Sequence, residues 1–226
     1  MAASDTPVNP SNGLTFVAAT VPGNAGGSTG VTPTGGGAPT GGSPTGGNPA
    51  GGGPTSHGYW LVGADGGVFS FGGAPFDGSV PGLGIHVNDV VAAVPTPSGG
   101  GYWLVGSDGG VFSFGDAGYF GSVPGLGVHV SDIVAAVPTP SGGGYWLVGS
   151  DGGVYSFGDA PFEGSVPGMG VHVSDVVAAV PTPSGGGYWL VGSDGGVFSF
   201  GDAPYDGSVP GLGIHVHDVV AGLPVG

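Results

Sequence analysis

The chain has 226 residues, with no Lys or Arg, fifteen Asp and Glu residues and no Cys, which gives a formal net charge of −15 at pH 7. Binding to nucleic acid or to an anionic membrane surface is not expected, because both depend on Lys and Arg. The lack of Cys excludes disulfides and thiolate chemistry. No apolar run approaches the ~20 residues of a membrane-spanning helix.

Residues 1–57 are predicted to be a disordered linker or stalk. After a short β-prone run at 14–21, residues 23–54 are almost entirely Gly, Pro, Thr, Ser and Asn, and the triplet Pro-Thr-Gly recurs. Such a composition buries too little apolar surface to fold and suits a spacer. No leader segment is visible at the N-terminus, so we expect either an intracellular protein or the C-terminal piece of a longer exported one.

Residues 58–226 carry a repeat of 43 residues, whose copies begin at Gly58, Gly101, Gly144 and Gly187. A repeat of about 40–50 residues, built from short apolar runs and glycine turns, is typical of a β-propeller blade. The sequence therefore predicts an all-β fold, a four-bladed β-propeller that follows the Gly/Pro-rich linker.

The second repeat shows the strands predicted for every blade, at 102–105, 111–114, 119–123 and 132–137. Asp-Gly between the first two runs predicts a tight hairpin. The strands are apolar on both faces, as expected for a sheet covered on both sides. The small side chains of Ala135 and Ala136 favour the strand nearest the axis, and 119–123 would form the outer edge.

The phase of the repeat predicts how the ring closes. The array begins with a Tyr-Trp strand at residue 58 and ends with an Ala-containing strand at 218–222. Pairing the two would complete four blades by N- and C-terminal strand closure and remove the open edges. A single eight-bladed ring formed by two chains stays open as an alternative.

Two polar positions recur before the Ala-containing strand and are candidate metal ligands. A ring of carboxylates suits Ca²⁺, and a ring of imidazoles suits a transition metal. The alternative is that each Asp caps a turn and each His packs beneath the loop. The candidates are Asp89, Asp132, Asp175 and Asp218, with His86, His129, His172 and His215.

Other recurring side chains favour structure or binding over catalysis. Asp65, Asp108, Asp151 and Asp194 lie in the hairpin turns, where Asp adopts positive φ or bonds its own backbone. Trp60, Trp103, Trp146 and Trp189 are expected in the core between blades, with stacking on sugars as the alternative.

The aromatic residues of the predicted outer edge vary between copies and are the candidate ligand-binding surface: Phe76, Tyr119, Phe120, Phe162 and Tyr205. Acid–base catalysis needs two carboxylates in different environments, whereas near-identical repeats supply equivalent ones, so no catalytic residue is predicted.

The segment Gly-Tyr-Trp-Leu-Val-Gly-Ser-Asp-Gly-Gly-Val-Phe-Ser-Phe-Gly-Asp-Ala at 101–117, repeated from 144 and 187, resembles a repeat common in actinobacterial proteins. The resemblance implies a propeller blade and a setting beside secreted domains, some of them hydrolases. It implies no catalytic residues. This chain departs from the family in having no Lys or Arg, since members usually carry some.

These observations predict a non-catalytic binding or structural module of a secreted or cell-surface protein, with a protein or glycan at the cell surface as its partner. The alternative is a glycan-binding accessory domain that tethers an upstream secreted hydrolase. An intracellular structural propeller is a third interpretation.

Overall fold

The computed structural model describes residues 57–224, so the predicted linker lies outside the described residues except for His57. Within this range the regular structure consists of β-strands and four short 3-10 helices. The strands are β1 (Gly58–Val62), β2 (Val68–Gly72), β3 (Val90–Pro95), β4 (Gly101–Gly106), β5 (Val111–Gly115), β6 (Ile133–Pro138), β7 (Gly144–Gly149), β8 (Val154–Gly158), β9 (Val176–Pro181), β10 (Gly187–Gly192) and β11 (Val197–Gly201). The 3-10 helices are Pro81–Leu83, Pro124–Leu126, Pro167–Met169 and Pro210–Leu212.

The strands form one two-stranded and three three-stranded antiparallel sheets, so the all-β prediction is confirmed. Each three-stranded sheet contains three of the four predicted kinds of strand, in the order β3-β4-β5, β6-β7-β8 and β9-β10-β11. The Tyr-Trp strand is central in each of these sheets. All residues of β4 and β7 are buried.

The hairpin between the central strand and the third strand forms as predicted. Two roles were considered for its Asp, positive φ and a hydrogen bond to the local backbone, and the structure shows one of them. In the second repeat, the Asp108 carboxylate accepts a hydrogen bond of 2.7 Å from the Gly110 amide. The positive φ belongs to Gly109, at 76°, and no non-glycine residue within 57–224 has positive φ. The expectation that Asp itself adopts positive φ is therefore wrong, and local backbone bonding is confirmed.

The outer strand predicted at 119–123 does not form. Gly121 has a φ of 135°, outside the β region, and Pro124 has no amide to donate. The chain turns inward instead, so that Val123 is fully buried and its amide donates 3.1 Å to the Gly109 carbonyl. A Cβ built on Gly109 would lie 2.6 Å from Val123 Cγ2, so the valine covers the hairpin turn. A three-stranded sheet with a loop docked on its hairpin replaces the predicted four strands.

Successive sheets contact each other through their Ala-containing strands, since β3 contacts β6 and β6 contacts β9. The small Ala side chains predicted that neighbouring sheets approach each other most closely at this strand. The arrangement is like that of blades around an axis. Each buried cluster joins two neighbouring sheets. In one of them, Trp103 and Val105 of the second repeat pack with Tyr145 and Leu147 of the third.

The predicted terminal closure is not seen among the described residues. β1 pairs with β2 alone, and residues 218–224 belong to no strand. Tyr59 is 58% exposed and Leu61 is 48% exposed, whereas their counterparts Tyr102 and Leu104 are 3% and 0% exposed. Closure of the ring therefore stays a prediction.

Candidate functional site

The contacts between successive repeats, hereafter the internal junctions, are built around a tyrosine. The Tyr145 hydroxyl of β7 donates 2.5 Å to the carbonyl of Gly121 in the preceding repeat, and it accepts a hydrogen bond of 3.3 Å from the Phe120 amide. The Trp103 ring lies 5.7 Å from the Tyr145 ring, centroid to centroid. Burial raises the pKa of Tyr145 above its ordinary value. The hydroxyl thus ties one sheet to the loop of the previous repeat.

The same junction recurs on either side. Tyr102 donates 2.6 Å to the Gly78 carbonyl, and Tyr188 donates 2.6 Å to the Gly164 carbonyl. Burial also raises the pKa of both phenols. Three junctions of nearly identical geometry therefore join the four repeats.

Two of the four tryptophans, Trp103 and Trp146, are buried in these junctions, which confirms the interpretation of these two as core residues, whereas Trp60 and Trp189 are half-buried. Trp103 and Trp146 are each 1% exposed. Their indole Nε1–H groups donate 2.7 Å to the carbonyls of Gly118 and Pro161. Neither ring is free to stack on a sugar.

Four of the five predicted ligand-binding aromatics are exposed at equivalent positions of the four repeats. The exposed fractions are 39% for Phe76, 59% for Tyr119, 60% for Phe162 and 60% for Tyr205. Phe120 differs, because it is half-buried and its ring lies 5.8 Å from that of Tyr145. The structure therefore places Phe120 in a junction and leaves the other four facing solvent.

A second exposed apolar side chain accompanies each of these aromatics and was missed in the sequence, where Pro-Gly-Leu-Gly reads only as a loop. The 3-10 helix Pro124–Leu126 presents Leu126, which is 61% exposed. The Tyr119 hydroxyl donates 3.2 Å to Ser122 Oγ, and that oxygen accepts 3.2 Å from the Gly125 amide. Tyr119 and Leu126 therefore share one loop. We call the four such loops the outer-loop surface; its members are Phe76, Leu83, Tyr119, Leu126, Phe162, Met169, Tyr205 and Leu212.

The predicted metal ligands do not form a metal centre among the described residues. Within 57–224, no group of three or more His, Asp or Glu side chains is placed to hold a metal ion. The histidines His86, His129, His172 and His215 are all exposed, so the expectation that they pack beneath a loop is wrong. The aspartates lie at separate turns: Asp89, Asp132 and Asp175 are half-buried and Asp218 is exposed. A Ca²⁺ site stays a prediction that depends on closure of the ring.

The half-buried aspartates bond to the end of the central strand, as Asp89 shows. Its carbonyl accepts 2.8 Å from the Ser107 amide, and its carboxylate accepts 3.4 Å from the Ser107 hydroxyl. Asp132 and Asp175 accept the corresponding backbone hydrogen bonds from Ser150 and Ser193. These contacts join the start of the Ala-containing strand to the end of the central strand.

A carboxylate that the sequence did not single out organises the far end of each complete sheet. The Thr139 hydroxyl donates 2.8 Å to one oxygen of Asp159, and the Ser141 hydroxyl donates 2.5 Å to the other. The hydrogen bonds from Ser141 and then Thr139 hold the pKa of Asp159 below its ordinary value. Asp116 and Asp202 have equivalent partners, and the hydrogen bonds from their Ser and Thr partners lower their pKa values as well. The Thr and Ser donors lie about 20 residues before the Asp acceptor in the sequence, so no short motif predicts the contact.

Neither the protein-family models nor the curated proteins contain a match to this chain. Within residues 57–224, no helix has the length and apolar character needed to cross a membrane.

Proposed function

We propose that residues 58–226 are the blades of a β-propeller that acts as a non-catalytic binding or structural module of a secreted or cell-surface protein, displayed on the linker of residues 1–57. The propeller arrangement is supported by three three-stranded sheets whose Ala-containing strands contact one another in turn. The resemblance of 101–117 to actinobacterial repeats beside secreted domains supports the exported setting.

The proposed binding role is supported by the outer-loop surface. It places one exposed aromatic and one exposed aliphatic side chain on every repeat. Exposed apolar side chains that recur together on a surface mark interaction sites. Because the positions are equivalent, a ligand with repeated units, such as a surface polymer, would meet the same contact several times and gain from multivalency.

A glycan is the favoured ligand class within this proposal, and an accessory role beside an upstream hydrolase is the alternative function. The exposed rings of Tyr119, Phe162 and Tyr205 can offer flat apolar faces to sugar rings. The chain's net charge of −15 disfavours an acidic polysaccharide, so a neutral or basic glycan is expected.

The test is a sedimentation assay of the full chain with insoluble cell-wall polysaccharide of the producing organism. The test variant carries Phe76→Ser, Tyr119→Ser, Phe162→Ser and Tyr205→Ser. The matched control replaces the four exposed histidines, also one per repeat, with Ser. Binding by wild type and control, lost in the test variant, supports the proposal. Equal binding by all three would refute the role of this surface, and detection of the protein only inside the cell would refute the surface setting.

A further inference from the structure

We infer that the two open ends of the array bind a second copy of this chain, so that two chains close one ring of eight blades. The inference rests on the propeller arrangement proposed above. It concerns the ends of the array and not the outer-loop surface, so the two can be tested separately.

The first end is a central strand that lacks its partner. β1 is the copy of β4, and β4 pairs with β3 in the register Ala92↔Val105 and Val94↔Trp103. β1 has no such partner among the described residues. An unpaired strand edge bearing exposed apolar side chains is a template for another strand.

The other end is the partner strand without a sheet. Residues 219–224, Val-Val-Ala-Gly-Leu-Pro, are the copy of β3, Val-Val-Ala-Ala-Val-Pro. Val220 is 70% exposed and Leu223 is 65% exposed, whereas Val94, the counterpart of Leu223, is 2% exposed.

This segment is already placed as the first strand of a following blade. The Val219 amide donates 3.0 Å to the Ser193 carbonyl, as the Val176 amide donates 3.0 Å to the Ser150 carbonyl one repeat earlier. A Cβ built on Gly222 would lie 2.8 Å from Val180 Cγ2, so the segment lies along β9. Among residues 57–224 no hairpin pairs with this segment, and β1-β2 is a hairpin of the kind that would.

The junction contacts of the two ends are complementary as well. At the internal junctions, a Cβ built on Gly121 or Gly164 would lie 2.7 Å from Cδ1 of a phenylalanine in the next repeat. At the equivalent Gly207, nothing lies within 4 Å. The phenylalanine and tyrosine that would complete this junction are the counterparts in the first repeat, Phe71 and Tyr59.

The number of copies follows from the likeness of the junctions. Three junctions of one geometry leave Gly207 uncovered and Tyr59 58% exposed, so four repeats packed in this way do not complete the ring. A ring of equivalent junctions must hold a whole multiple of the four repeats of one chain. Propellers typically have about 4–8 blades, so two chains are the multiple that fits. Residues 219–224 of each chain pair with β1 of the other chain, and such a heterologous interface closes as a ring.

The first experiment measures the mass of the full chain by sedimentation velocity over a range of concentrations. A dimer is expected for wild type. Leu61→Asp and Leu223→Asp should each abolish it, because both side chains enter the junction, while each is exposed in the single chain. Leu126→Asp is the matched control, since Leu126 is 61% exposed and lies away from both ends, and it should leave the dimer intact. A wild-type monomer at all concentrations, or filaments without a defined mass, would overturn the inference.

A second experiment identifies the chain to which each end binds. Val62 and Ala221 occupy the positions of the pair Val105 and Ala92, and the chain has no other cysteine to interfere. Oxidation of a mixture of Val62→Cys and Ala221→Cys chains should give a disulfide-linked pair, and the double variant should also link between chains. An internal disulfide in a monomeric double variant would show that the chain closes on itself, and the two-chain ring would be wrong. No disulfide in either sample would also contradict the proposed strand pairing.

Discussion

Replacing Tyr145 with Phe should destabilise the fold by breaking one internal junction while leaving its packing in place. The variant keeps the ring that contacts Trp103 at 5.7 Å and Phe157 at 5.6 Å, centroid to centroid. It loses the hydroxyl that donates 2.5 Å to the Gly121 carbonyl and accepts 3.3 Å from the Phe120 amide. The change therefore isolates two hydrogen bonds.

The expected loss in the free energy of unfolding is about 1–2 kcal/mol. A buried polar group left without its partner costs about 1–3 kcal/mol. The site is only partly buried, so water can replace part of the interaction, and the lower half of that range applies. For a domain of this size, about 2–4 °C of melting temperature is lost per kcal/mol, so the melting temperature should fall by about 2–8 °C.

The assay is urea unfolding and calorimetry of both Tyr145→Phe and a control, Tyr119→Phe. Tyr119 is 59% exposed and its hydroxyl bonds to Ser122 within its own loop, so its loss should change stability by less than about 0.5 kcal/mol. If the two variants unfold alike, the hydroxyl contact between repeats contributes nothing measurable, and the account of the junction is wrong.

Three further predictions concern pH and packing. Ser141→Ala removes the main cause of the lowered pKa of Asp159. That lowered pKa stabilises the fold above pH 3.8, the ordinary pKa, and this stabilisation is lost as the pH falls through the folded-state pKa. The difference in stability between wild type and variant, measured by urea unfolding, should therefore be smaller at acidic than at neutral pH. The buried phenols have raised pKa values, so stability should fall as pH rises above the ordinary value of 10.0, and Tyr145→Phe should weaken this alkaline loss, measured by melting temperature against pH. Leu147→Ala should cost about 2–5 kcal/mol because Leu147 is fully buried, whereas Leu126→Ala should change unfolding in urea by less than about 0.5 kcal/mol.

The sequence predicted the strands well because their cues are local. The run at 102–105, the turn at Ser107–Gly110 and the run at 111–114 follow one another directly, and the structure pairs them as expected. The two alanines at 135 and 136 predicted which strand approaches its neighbours most closely, and the contact of β6 with β3 and β9 agrees.

The remaining features depend on contacts that no local pattern reveals. Tyr119 and Phe120 are adjacent and both aromatic, yet one faces solvent and the other packs against Tyr145, which lies 25 residues further along. The sequence predicts that Val123 belongs to an outer strand, but in the structure its side chain covers Gly109 of the hairpin. The partners of Asp159 are likewise distant in sequence, so the carboxylate was not recognised as a structural element.

The open ends of the array follow from the strand at which the repeat unit begins. Within the described residues, the array starts with the hairpin β1-β2 and stops at a segment that copies β3, so each contact in the proposed two-chain ring would copy a contact made inside the chain. In that proposal the two ends are complementary to each other, whatever the ligand of the outer-loop surface. Substitutions that strengthen an internal junction in every repeat at once would strengthen the junction between copies by the same means. In the proposed ring, near-identical repeats would couple the stability of the single chain to the stability of the assembly, and an end must differ from its copies, as Gly222 and Leu223 do, for the two to vary separately.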